Sequence, residues 1–198
     1  MSKERTYWLL TLARGFTAIL TGCGIFALPE IARAILLLPI SVGLFAVYGV
    51  VDGALLIGAS YATTVSAMKS SHCAHGLASM TMGVLLLSFL FEHADLKWFL
   101  SLAALQAAIS ACTEAILVKH ARTRKIRSWD CTAAFIAGLF ALAYVYVRLS
   151  LSHALTYQQV AWIVYAFLIA FGMAQCVNAA RMLIQDSGDK RSFIDRPL

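Results

Sequence analysis

Two charged residues, Arg14 and Asp52, stand inside apolar runs long enough to cross a bilayer. An unpaired charge at that depth costs roughly 2.5–3.5 kcal/mol on insertion scales, so each demands a partner. Arg14 lies seven residues after the start of the first run at Tyr7, and Asp52 eight before the end of the second at Ser60. Folded back as antiparallel helices at about 1.5 Å per residue, the two runs carry both charges roughly 10–12 Å in from one membrane face. There they neutralise each other.

Similar chemistry recurs downstream. Matching Gly22 to Gly83 lays His75-Gly76 on Arg14-Gly15 and brings Glu114 within one position of Asp52. Matching Gly22 to Gly138 lays Asp130 on Arg14, and the last run offers Asn178 with Arg181 one turn on. The spacing predicts three hairpin repeats sharing one intramembrane polar layer: Arg14, Asp52, His75, Glu114, Asp130, Asn178 and Arg181. Two uses of such a layer stay open. Ionisable groups inside a membrane are expensive and often functional, so the layer could bind a small solute or respond to protons, with His75 beside Glu114 changing charge between about pH 5 and 7. Alternatively the pairs only staple the hairpins of a non-transporting scaffold, whose loops recruit partners.

Enzymatic chemistry finds no support. The chain has no His-x-x-x-His pair, nucleophile elbow or glycine-rich phosphate loop. Ser70-Ser71-His72-Cys73 holds nucleophile types, but adjacent residues on an expected loop do not make a triad. Of the five histidines only His72 and His75 lie close together, which predicts no metal site. The five cysteines lack Cys-x-x-Cys spacing and read as reduced, small, buried residues. No cofactor is expected.

The elements that must position the layer follow from composition. The 198 residues are 61% hydrophobic and 13% charged, against about 25% charged in soluble domains, which leaves too little polar surface to cover a soluble globule. The mean hydropathy is +0.78. The apolar stretches are continuous instead of alternating, which excludes a barrel. The expected fold is all-α: a polytopic membrane protein with six transmembrane helices at about 7–28, 34–59, 74–91, 97–118, 129–149 and 157–184. They form a single domain over 1–184, with hairpins at about 7–60, 71–120 and 129–184, and a polar cytoplasmic tail at 185–198. Pro29-Glu30 should end the first helix, and Pro39 should mark a kink or the true start of the second. Small residues four apart, Gly49 and Gly53, then Ala103, Ala107, Ala111 and Ala115, then Ala166, Ala170 and Ala174 with Asn178 continuing the spacing, predict that the second helix of each hairpin is a packing helix.

The net charge of +6 is decided by placement. Lys3, Arg5, Lys69, the basic stretch 119–127 and the tail fall on one side, whereas the other holds Arg33, Lys97 and Arg148 with Glu30, Glu92 and Asp95. This asymmetry predicts cytoplasmic N- and C-termini and a polar layer in the cytoplasmic half. The basic residues are a topology signal, so no nucleic acid partner is expected. The expected partners are the lipid bilayer, a second copy of the chain or another membrane protein, and a small solute or proton.

The first hairpin, with Trp8-Leu9-Leu10, Arg14-Gly15, Gly22, Pro29, Tyr48-Gly49 and Asp52-Gly53, resembles the repeat of the HdeD-like family of bacterial acid-resistance membrane proteins. The other two hairpins share its topology. The resemblance implies six spans in the bacterial inner membrane and a link to acid or general stress, with no established enzymatic activity, and it adds no catalytic residue.

Overall fold

The computed structural model describes residues 3–31, 34–63, 66–92, 96–120, 124–150 and 157–194. It contains six α-helices: α1 (Lys3–Ile31), α2 (Ala34–Ala62), α3 (Ser66–Glu92), α4 (Leu96–His120), α5 (Arg124–Ser150) and α6 (Tyr157–Ile194). Five segments are long and apolar enough to cross a membrane: Lys3–Leu28, Pro39–Ala62, Lys97–Ile116, Cys131–Leu149 and Val160–Ile184. The chain is therefore a multi-pass membrane protein. Large apolar side chains on its outside, among them Phe16, Leu77, Val84, Phe135 and Leu142, fit that solvent, because water would not tolerate so much exposed hydrocarbon.

The helices run longer than hydropathy predicts. α3 starts at Ser66, two turns before the expected 74, so Ser70-Ser71-His72-Cys73 is helix and not loop. Its polar residues hid it: His72 is buried against α1 instead of ending the element. α1 passes through Pro29 to Ile31, and α2 begins at Ala34, which leaves Pro39 in the helix interior. The basic stretch 119–127 is largely the end of α4 and the start of α5, and α6 continues into the polar tail as far as Ile194. Backbone hydrogen bonding is obligatory, so helices carry on past the point where side chains stop being apolar.

Successive helices are antiparallel neighbours, and α6 packs back along α1 to close a ring. The closest pairings are α2 with α3, α6 with α1 and α4 with α5, so the tightest contacts join one expected hairpin to the next, and the two helices within each hairpin pack more loosely. Half of the most apolar window is buried in each of α2, α4 and α6, against 33% in α1 and 22% in α5. The second helix of each expected hairpin thus forms the interior. Phe45 of α2 meets Phe99 of α4 with ring centroids 5.5 Å apart, Gln175 of α6 reaches Glu114 of α4, and α2 touches α6. α1, α3 and α5 sit outside this triangle, each against two of its members.

Glycine sets the closest approaches. A Cβ on Gly53 would lie 2.5 Å from the Gly76 carbonyl oxygen, and one on Gly83 would lie 2.6 Å from that of Ala46, so α2 and α3 touch backbone to backbone. Gly15 and Gly172 do the same for α1 and α6, at 2.6 Å. Between helices in lipid there is little hydrophobic drive, and such contact supplies dispersion in its place.

Candidate functional site

Arg14 and Asp52 meet as their spacing requires. Arg14 Nε donates to Asp52 Oδ1 at 2.8 Å, with 4% and 1% of the side chains exposed. The ion pair is completely inside the bundle. Gly15 on one flank and Gly53 on the other draw α6 and α3 tight against the helices that carry it.

Four further side-chain bonds surround it. The Tyr7 hydroxyl and His72 Nε2 lie 3.1 Å apart, their rings stacked within 5° of parallel. The Ser110 hydroxyl and His75 Nε2 lie 3.3 Å apart. Gln106 Nε2 donates to Ser79 Oγ at 2.6 Å, and Gln175 Nε2 donates to Glu114 Oε1 at 2.6 Å. His72, His75 and Ser79 follow at i, i+3 and i+7, the spacing of one helix face, so α3 turns a polar stripe towards α1 and α4. Arg14, Asp52, Glu114 and both histidines are near enough to act on one another electrostatically.

Of the residues expected from sequence, Arg14, Asp52, His75, Glu114 and Asn178 are all buried. Glu114 accepts from Gln175, and His75 is bonded to Ser110, one turn before Glu114 on α4. Arg181, one turn beyond Asn178 on α6, is exposed where those five are buried. Asp130 belongs to α5, but its side chain lies outside the described residues. The cysteines are not buried as expected: Cys23, Cys112 and Cys131 are exposed on the outside of the bundle, and Cys73 and Cys176 are half-buried. A thiol is apolar enough to face hydrocarbon, so an apolar environment does not imply an interior position.

Sequence reasoning passed over Tyr7, His72, Ser79, Gln106, Ser110 and Gln175. Neutral polar residues interrupt an apolar run too weakly to stand out. The signal was available in α3, where His72, His75 and Ser79 share a face, once the helix is known to start early.

Several buried atoms of the layer have no hydrogen-bond partner among the described residues: Arg14 Nη2, Asp52 Oδ2, His72 Nδ1, His75 Nδ1 and Gln106 Oε1. Apolar clusters close the layer on both sides. Towards the chain termini, Tyr7, Trp8, Ala59, Ala62 and Ala179 pack with Met68 and Met182. Towards the opposite end, a larger cluster includes Ile25, Phe45, Leu86, Phe99, Leu100 and Phe167. The arrangement is a buried polar layer between two apolar clusters, in the half of the bundle nearer the termini. No group of three or more metal-binding side chains occurs among the described residues. Compared with family models, curated proteins and solved structures, the chain matches none.

Proposed function

We propose that this chain is a six-span protein of the bacterial cytoplasmic membrane, built from three hairpin repeats, whose compartment holds a small polar guest. That guest is a proton-bearing water or a small solute. The observation that carries the reading is the set of five buried atoms around an ion pair that have no hydrogen-bond partner among the described residues. Each such atom costs about 1–3 kcal/mol if nothing satisfies it, which a purely mechanical staple would have no reason to retain. The guest must accept a hydrogen bond from Arg14 and donate to Asp52 or Gln106. Two carboxylates, Asp52 and Glu114, stand beside one guanidinium, and that balance favours a guest bringing a proton or positive charge.

The sixth span is α3. Its 27 residues reach about 40 Å at 1.5 Å each, and its polar stripe faces inward while Leu77, Val84 and Leu85 face out. The repeats are supported by glycines at matching places: Gly15 meets α6 as Gly76 meets α2. The basic residues near the termini support a cytoplasmic compartment. Acid stress as the physiological setting is supported by the resemblance to the HdeD-like repeat.

A scaffold is the second reading, favoured by the fact that the ion pair and four hydrogen bonds already join α1 to α2 and α3, α3 to α4, and α4 to α6. Liposomes loaded with a pH dye separate the two. Proton or solute movement in the wild type, slowed in Asp52→Asn or Glu114→Gln variants that remain folded, supports the guest. Absence of movement at every pH in the folded wild type supports the scaffold.

A further inference from the structure

On the outer surface, α4 and α5 separate enough to leave a groove of about 470 Å³, within the roughly 300–1,000 Å³ of ligand pockets. Small residues create it: Ala104 and Ala108 on α4 face Ala141 on α5. Its walls are almost wholly hydrocarbon, and it opens sideways to the lipid. From Ala141 to Arg148, which lines the end opposite the chain termini, the groove descends about 10 Å along α5.

Arg148 gives the groove a polarity. It is exposed, and among the described residues no carboxylate lines the groove with it. Ser101, the nearest hydroxyl, is engaged with the Lys97 carbonyl at 2.8 Å. Lys97 itself stands one turn further out on the same helix, next to Trp98, whose 60% exposure suits a ring at the headgroup level. A cation at the mouth of a hydrocarbon channel matches a molecule with an anionic head and an apolar tail. A guanidinium grips phosphate through two parallel N–H bonds.

We propose that this groove is a binding site for one anionic phospholipid of the leaflet opposite the chain termini, its acyl chain along Ala104, Ala108 and Ala141 and its phosphate on Arg148. The site rests on the membrane reading but not on the polar compartment, to which α4 contributes Gln106, Ser110 and Glu114. Neither stands or falls with the other.

Native mass spectrometry of the full chain, delipidated in detergent and titrated with phosphatidylglycerol or phosphatidylcholine of identical tails, tests it. The wild type should retain one phosphatidylglycerol in preference to phosphatidylcholine. Arg148→Gln should reduce that preference about fivefold, since one basic residue near a membrane surface contributes on that scale. Ala108→Leu should weaken retention of both lipids by filling the groove. Equal retention of the two lipids by the wild type, or an unchanged preference in Arg148→Gln, overturns the proposal. So does displacement by glycerol phosphate without acyl chains, which would show a phosphate site that does not use the groove. Thermal melts report folding, and if Ala108→Leu fails to fold, the surface variant Arg148→Gln still decides.

Discussion

Arg14 uses Nε for Asp52, and its Nη2 is buried without a partner among the described residues, so the pair leaves hydrogen-bonding capacity over. Removing either charge strands the other in the bundle. Arg14→Gln or Asp52→Asn should therefore lower stability by about 3–5 kcal/mol, the scale for breaking a buried pair, seen as a lower melting temperature in detergent and lower membrane abundance. The reciprocal exchange, Arg14→Asp with Asp52→Arg, should recover part of that loss; a double variant no better than the singles would contradict a direct contact. This is also the scale at which the sequence speaks most clearly. A charge in an apolar run is costly wherever it falls, and so Arg14 and Asp52 could be paired from spacing alone. Gln106 and Gln175 carry no such penalty, and their bonds to Ser79 and Glu114 depend on how helices far apart in the chain are brought together. Arg181 misled because hydropathy registers a charge without registering which way it points.

Helix pairing was legible only in part. The small residues of α2, α4 and α6 marked the inner helices, and a short turn marks the helices of a hairpin as neighbours. The tightest contacts nevertheless join one hairpin to the next, through Gly53, Gly76 and Gly83 for α2 with α3, and Gly15 with Gly172 for α1 with α6. Turn length limits which helices are neighbours; it does not decide how close they come. The glycines make a graded test. Gly53→Ala, or Gly76→Ala, forces a Cβ against backbone and should cost about 1–3 kcal/mol, the usual range for overpacking. At Gly138 the nearest atom to an added Cβ is Ala111 Cβ at 3.9 Å, ordinary van der Waals distance. Gly138→Ala should be neutral or stabilise by up to about 1 kcal/mol through helix propensity. Unfolding of the three variants side by side checks the order, and equal losses at all three would mean that close approach is not what holds the pairs.

Across the whole bundle, the two apolar clusters are unequal, and the inequality assigns a direction to the compartment. On the side away from the termini the barrier includes Ile25, Phe45, Leu86, Phe99 and Phe167, drawn from five of the six helices. On the termini side it is a thinner set, Tyr7, Trp8, Ala59, Ala62 and Ala179, tied across α1 and α3 by the Tyr7–His72 bond. The compartment should open first on that side. In a chain freed of its native cysteines, Ser110→Cys should react with a membrane-impermeant thiol reagent applied at the termini face and be protected from reagent at the other. Tyr7→Phe removes one hydrogen bond of about 1 kcal/mol from the closure and should speed the reaction about fivefold if that bond limits opening. Labelling rates in right-side-out and inside-out vesicles measure both effects. Equal rates from the two faces would mean that the larger cluster is no barrier, and faster labelling from the opposite face would reverse the direction assigned to the compartment.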